Sequence, residues 1–260
     1  MQQVLTDENV TAIPQREVQA EIQEAEYVYP YHYQDVFGVG QSIERHSIFD
    51  ALVTRLQSHN AKSVIDVGCG DGRFCHYAKN YLEVEGIDTS SRAIQWARAF
   101  NPSVKFYDND IAKLRKTYDA AVCIEVIEHI SDADMGSFLD ELRQRVALGG
   151  PVIFTVPSEL LLLDEKHYRH YNEETLRATL SPFFEVNEIL GHSRKRPLAK
   201  KLFNMLNAIS ILSYSDRMKY KHRDKFERLA QQKIAFWHKH LHNGPASNCF
   251  RLFAICTRTR

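Results

Sequence analysis

The stretch that decides the fold runs Val64-Ile65-Asp66-Val67-Gly68-Cys69-Gly70-Asp71-Gly72-Arg73-Phe74. A short, mostly apolar run leads into a loop with glycine at alternate positions, and a segment able to be helical follows. Glycine has no Cβ, so such a loop turns sharply and lets a ligand approach the backbone. The amides that open the next helix then face that ligand. A dinucleotide fingerprint requires G-x-G-x-x-G. Here the third glycine comes one residue early, and Asp66 stands two residues before the first. That spacing argues against a nicotinamide-dependent oxidoreductase. An acid at the strand end suits a ligand with a cationic amino-acid tail better than a pyrophosphate.

Working outward, strand and helix patterns alternate. Strands are expected at residues 63–67, 84–87, 104–107, 120–126, 151–156, 184–190 and 249–257, and helices at 42–56, 73–81, 91–100, 133–148 and 173–180. Ser90 or Ser91 can cap the third of these helices. Residues 120–126 are nearly all apolar, as in a strand covered on both faces. Repeated strand–helix–strand units imply an α/β fold, a doubly wound and mainly parallel sheet. A helical insert at 193–247 precedes the last strand. It holds an apolar-rich stretch at 198–212 and a basic one at 216–242. Residues 1–26 are polar and read as an arm. Tyr27, Tyr29, Tyr31, His32, Tyr33 and Phe37 then form an aromatic cluster, read either as a lid over a cleft or as packing on the first helix. The expected division is an arm and lid at 1–41 and one domain at 42–260.

Composition fits a protein with a sizeable core: 44% of the 260 residues are hydrophobic and 25% charged. Lys+Arg and Asp+Glu are equal at 33 each, so net charge gives no push toward nucleic acid. The five cysteines form no C-x-x-C pair, which argues against a disulfide framework or a structural zinc site and for a reducing compartment. The first residues lack the apolar core of a secretory leader, and no apolar run reaches the roughly 18 residues of a membrane span. A cytoplasmic protein is expected.

Two further acidic signals follow the glycine loop. Gly86-Ile87-Asp88 ends the second strand, where a carboxylate can accept both hydroxyls of a ribose. Tyr107-Asp108-Asn109-Asp110-Ile111 ends the third. There Asp110 can accept an adenine amino group while the Ile111 amide meets a ring nitrogen. The set of Asp66 to Gly72, Asp88, Asp110 and a fourth strand ending in Glu125 resembles the class I S-adenosylmethionine (SAM)-dependent methyltransferases, over residues 63–184. The resemblance implies a Rossmann-like sheet of seven strands with the last antiparallel. It implies SAM as cofactor, S-adenosylhomocysteine as product, and binding across the carboxyl ends of the first strands. The implied cofactor set is Asp66, Gly68, Cys69, Gly70, Gly72, Asp88, Asp110, Ile111 and Glu125.

The acceptor side is read from Glu125-Val126-Ile127-Glu128-His129-Ile130 and from Asp164-Glu165-Lys166-His167-Tyr168-Arg169-His170-Tyr171-Asn172. If the first is helical, Glu125, Glu128 and His129 share a face. Histidine has a pKa suited to deprotonating a hydroxyl acceptor, so His129, with His167 and His170, is expected to be catalytic. Tyr171, Tyr31 and Tyr33 are expected to bind the acceptor. The His-x-x-His-Tyr loop is similar to that of methyltransferases of saccharide and glycolipid pathways and of the ubiquinone-type O-methyltransferases. This implies O-methylation of a hydroxyl on a saccharide, a glycolipid or a related small molecule. A second resemblance is to the small-RNA 3′-terminal 2′-O-methyltransferases, whose two-Glu, two-His divalent-metal site matches Glu125, Glu128, His129 and His167. The sequence departs from that family around His167, so no metal is favoured. A third reading is a SAM-binding regulatory protein without turnover. The 198–212 stretch is read as a helix packed on the domain or as an interfacial helix meeting a membrane with a lipid-linked glycan acceptor. The basic stretch after it is read as a solvated face, or as a surface for phosphates of a lipid or an RNA.

Overall fold

The computed structural model describes residues 21–22, 24–31, 40–212 and 223–259. Residues 1–20 of the expected arm, and His32, Tyr33 and Phe37 of the aromatic cluster, lie outside the described residues.

The order is α1 (Gly40–Ser58), β1 (Ser63–Val67), α2 (Arg73–Ala78), β2 (Glu83–Asp88), α3 (Ser91–Phe100), β3 (Lys105–Asp108), β4 (Ala120–Ile124), α4 (Asp132–Gln144), β5 (Pro151–Pro157), α5 (Glu173–Leu180), β6 (Glu185–Arg194), α6 (Pro197–Leu212), α7 (Arg223–His240), β7 (Asn243–Gly244) and β8 (Cys249–Thr257). Short 3-10 turns stand at Ile111–Lys113, Ile127–His129 and Ala246–Asn248. The strands form one sheet in the order β3-β2-β1-β4-β5-β8-β6-β7. β8 runs antiparallel to both β5 and β6, and the pairs from β3 to β5 are parallel. The doubly wound sheet is as expected, with eight strands rather than seven. The extra one is the two-residue β7, which pairs with Gly191 and His192 at the edge.

Strand alternation sends side chains to two cores. Val152, Phe154 and Val156 of β5 pack with Leu139 and Leu142 of α4 and Leu176 and Leu180 of α5. Ile153 points the other way, to Leu52 and Leu56 of α1, Phe74 of α2 and Ile94 of α3. A third, smaller cluster of Phe203, Trp237 and Leu241 seats the insert helices α6 and α7, with Ile43 of α1 against it. Side-chain caps start three of the helices, α3, α4 and α5: Ser90 Oγ accepts from Ala93 N–H, Ser131 Oγ from Asp134 N–H, and Asn172 with Thr175 forms a reciprocal box.

Four expected boundaries are corrected: α2 ends at Ala78 rather than 81, α4 ends at Gln144 rather than 148, and two strands end elsewhere. β4 stops at Ile124, because Glu125 turns to φ 57°, a left-handed backbone that ends the ladder. β6 continues to Arg194, so the insert leaves the sheet later than expected. The carboxyl ends of β1, β2, β4, β5 and β6 share one edge, where the candidate site lies.

Candidate active site

The loop after β1 is held by its own backbone. Gly68 and Cys69 N–H both donate to Ile87 O, at 2.8 and 3.1 Å. Gly68, Gly70 and Gly72 have φ of 73°, 53° and 81°, where an L side chain is strained. The space each glycine leaves is taken by the protein itself. A Cβ on Gly68 would lie 2.5 Å from Val126 Cγ2, and one on Gly70 would lie 2.5 Å from the Tyr27 hydroxyl. This corrects the expectation that the missing side chains make room for a ligand directly. Cys69 is also turned inward: it is buried, and its thiol lies near Gly86.

Asp66 is buried beneath this loop. Its Oδ2 accepts from the Cys75 thiol at 3.5 Å, while Oδ1 has no hydrogen-bond partner among the described residues. Burial pushes its carboxyl up to about 7. Asp88, also buried, ties β2 to the loop: Gly70 N–H donates to Oδ2 and Ser90 N–H to Oδ1, both at 2.8 Å. Asp110 sits at the exposed mouth, where its carboxylate caps the Ile111–Lys113 turn by accepting from Ala112 N–H at 2.9 Å. Ile111 is buried beside it.

Residues 24–31 cross this end of the sheet as a strap. Tyr27 is buried against Gly70, and its carbonyl accepts from the Trp96 indole at 3.0 Å. Burial, then the charges of Asp88 and Asp71, hold its phenol neutral. Glu24 accepts from the Ser90 hydroxyl and pairs with Arg92 at 3.9 Å. Glu26 reaches the other half of the site, where Lys166 Nζ donates to it at 2.8 and 2.9 Å. Tyr31 donates to the same carboxylate at 2.6 Å. That places Tyr31 in the strap and leaves it stacked edge-on to Tyr27.

The acceptor side is built by docking the 166–171 loop on the turn after β4. Tyr168 N–H donates to Glu128 O at 2.8 Å. Arg169 donates to Ile130 O at 2.7 Å and to Asp132 at 2.6 Å. Tyr171 is buried and its hydroxyl lies 3.4 Å from Ile127 O, so it braces the turn from below. The expectation that Tyr171 faces the acceptor is therefore corrected: aromatic bulk at this position fills core.

This docking brings His129 and His167 together, with ring centroids 4.5 Å apart, and His167 Nδ1 lies 2.8 Å from His170 Nε2. His129 Nδ1 faces Lys166 O at 3.3 Å. A carbonyl only accepts, so Nδ1 carries the proton and Nε2 keeps its lone pair. His170 Nδ1 likewise faces Leu161 O at 3.2 Å. In singly protonated rings the relay makes His167 Nδ1 the donor to His170, which leaves the His167 Nε2 lone pair free of that bond. Burial, then the nearby Lys166 charge, keeps His129 below the usual histidine range. Burial and His129 bring His167 down to about 4.

Glu125 and Glu128 part company. The turn at Ile127–His129 is 3-10, and the left-handed Glu125 lies outside it, so the expected shared helical face does not form. Glu125 accepts from Thr155 Oγ1 at 3.1 Å and pairs with Arg251 at 3.6 Å. Glu128 is wholly buried, 4.0 Å from His129 Nε2, and neither carboxylate oxygen has a hydrogen-bond partner among the described residues. Burial and the Glu125 charge raise its pKa well above the carboxylate range. Glu128, His129 and His167 can offer ligand atoms within 4.8 Å of one another; Glu125 is not in that group.

Sequence reasoning passed over Glu26 and Arg251, which reads as a polar break in an apolar strand; it named Tyr27 only within the aromatic cluster and Lys166 only within the acceptor loop. Arg251 sits opposite Pro157 and His192, at the edge where β4 and β5 end. Its one sequence signal was that interruption.

These residues fit a nucleoside with a cationic tail. The buried Asp66 oxygen lacks a donor among the described residues, and Asp88, buried and bonded to the Gly70 and Ser90 amides, ends β2 at the carboxyl edge where folds of this kind meet a ribose. Residues 41–232 match a family model described as a methyltransferase domain. A ubiquinone biosynthesis O-methyltransferase of Cronobacter sakazakii is 27% identical over 188 residues, covering 53% of this chain and 76% of that protein. A dTDP-3-amino-3,6-dideoxy-alpha-D-glucopyranose N,N-dimethyltransferase of Streptomyces fradiae is 29% identical over 150 residues, 56% of each chain. The N-methyltransferase NodS of Bradyrhizobium japonicum WM9, solved with S-adenosyl-L-homocysteine, shares the fold with a TM-score of 0.55 at 21% identity, over 66% of this chain and 88% of that one. A strand order wound outward from β1, a glycine loop tied to Asp88, and a family match across most of the chain agree: this protein belongs to the methyltransferase-domain family and is a SAM-dependent methyltransferase.

Proposed function

We propose that the protein methylates a hydroxyl group on a small molecule of the saccharide or glycolipid class, with His129 as the general base. One observation carries this reading: His129 Nδ1 is committed to the Lys166 carbonyl, so Nε2 presents a lone pair at the carboxyl edge. SAM, when bound, supplies a methyl group on a sulfonium centre. Asp66, the glycine loop and Asp88 would hold it, with Asp110 and Ile111 at the adenine end. His129 takes the acceptor proton at Nε2, and burial keeps the ring unprotonated and ready. The Lys166 carbonyl fixes the ring, and Glu26 fixes Lys166. The test is a screen with labelled SAM over glycan, lipid-linked, quinone and RNA pools. Label in a base-stable O-methyl sugar supports the reading, and label only on nitrogen overturns it.

A second reading has its own observation. Glu128 has two buried carboxylate oxygens without hydrogen-bond partners among the described residues, beside His129 and His167. A divalent ion would satisfy all three, and such an ion could orient vicinal hydroxyls, including those of an RNA 3′ end. Activity that survives a chelator, with no heat of binding for Mn²⁺, removes this reading. Activity abolished by chelation and restored by Mn²⁺ establishes it over the first.

A further inference from the structure

The insert carries a surface that neither the cofactor nor the acceptor residues use. On α6, Leu198 is 84% exposed, Leu202 43% and Met205 54%. Their spacing of four and three residues places them on one stripe. The buried side of the same helix is distinct: Phe203 and Ala199 pack toward Trp237. The exposed stripe is therefore additional to the face that seats the helix. Exposed cations flank it at Lys195, Arg196 and Lys201, and residues 194–212 contain no acidic residue.

Topology puts this stripe on the catalytic edge. β6 runs parallel to β5, since both are antiparallel to β8, so the β6–α6 junction and the loop after β5 leave the sheet on the same side. That loop exposes two more large apolar side chains, Leu162 at 95% and Leu163 at 58%. It also holds Leu161, whose carbonyl fixes His170. Solvated leucines on two elements of one edge are unusual on a protein surface without an apolar partner.

We propose that α6 and the 161–163 loop dock the catalytic edge on an anionic lipid surface. The apolar stripe enters the acyl boundary, and Lys195, Arg196 and Lys201 meet lipid phosphates. Charge decides between occupants. A nucleic acid would use the cations and leave the leucines in water, whereas a lipid surface satisfies both. The docking is peripheral, since no helix among the described residues is long and apolar enough to cross a membrane. The inference deepens the reading of a glycolipid acceptor, because it places that acceptor's headgroup beside His129.

The test is flotation of the full chain with vesicles of phosphatidylcholine alone or mixed with phosphatidylglycerol. The expected result is co-flotation with the mixed vesicles, weakened by salt. Leu198→Glu with Met205→Glu, or Lys195→Glu with Arg196→Glu and Lys201→Glu, should each cut partitioning by about tenfold or more. SAM affinity by calorimetry should stay at the wild-type value in both, which shows that they fold. If wild type binds SAM but floats with neither vesicle, or if the leucine variant floats unchanged, the proposal fails. It also fails if the stripe instead joins two copies, seen as a dimer by ultracentrifugation that Leu198→Glu/Met205→Glu splits, or if RNA binding alone is lost in the charge variant. Flotation needs neither acceptor nor turnover, so its failure leaves the methyl-transfer reading standing. A failed acceptor screen likewise leaves the docking result intact.

Discussion

The two halves of the site are built from different materials. On the cofactor side the geometry is backbone: Gly68, Cys69, Gly70 and Ser90 N–H groups are spent on Ile87 O and Asp88. On the proposed acceptor side it is side chain: three histidines, a buried glutamate whose carboxylate oxygens have no hydrogen-bond partner among the described residues, and an Arg251–Glu125 pair at a left-handed turn. The first half is rigid and has few solutions. The second stores its cost in strained and unsatisfied groups, which is where specificity can change without loss of the fold.

The hardest way to break this contrast is Gly70→Val. Its φ is positive and its Cβ would meet Tyr27, so SAM binding should vanish while the sheet survives. Normal SAM affinity in a folded variant would mean that the loop is not the cofactor seat. On the other half, His129→Ala should lower turnover by about 10²–10⁴-fold with SAM affinity nearly unchanged. Equal loss of both would move His129 under the cofactor.

A gentler probe asks whether Asp66 faces the cationic tail. Its carboxyl stands at about 7 in the free protein, and a bound cation favours the ionised form. SAM affinity should therefore climb as pH rises toward about 7 and then level off. Asp66→Asn should flatten that profile, and a profile unchanged by the substitution would place the tail elsewhere.

Acid should also report on the buried imidazoles. Burial holds His192 down to about 3 and His167 to about 4, whereas the unfolded chain has the ordinary value of about 6.5. Between these limits the unfolded state binds more protons. Stability is therefore full above about 6.5, falls as pH drops, and levels off near the folded values. Raised Asp66 acts with the opposite sign, losing stability as pH climbs toward about 7. Buried Glu128 and Asp88, also raised, act in the same sense as Asp66, so the histidine component is read as the difference in melting temperature between the wild type and His167→Asn/His192→Asn from about pH 7 down to about pH 4. A difference that does not change with pH would mean that the imidazoles are solvated.

The smallest effect is expected at the join between the halves. Glu26→Gln removes a charge from Lys166 but leaves hydrogen bonding possible, so acceptor KM should rise a few-fold with SAM affinity preserved. Unchanged KM would make the strap a passive cover.

The geometry of the proposed cofactor half was legible because its signals are local. Gly68 to Gly72 announce positive φ, and Asp88 falls at a strand end one unit later. The order of strands followed from alternating patterns, and only the two-residue β7 escaped, being too short to carry a period. The acceptor half was half legible. His129, His167 and His170 stood out as residue types, but their meeting depends on Arg169 and Tyr168 gripping the turn after β4. Glu125 fell out of the expected helix because its backbone is left-handed, which nothing in a glutamate announces. Arg251 lies 126 residues from its partner Glu125, and Glu26 lies 140 from Lys166. No window of sequence spans such pairs. Tyr171 misled because an aromatic beside histidines looks like a binding residue, while tertiary packing assigned it to the core.

The strap at residues 24–31 touches Ser90 at one end and Lys166 at the other. The two proposed pockets are thereby fastened by a single belt buckled at Glu24 and Glu26. A displacement of that belt is felt in both at once, while β8 ends on the far rim of the sheet.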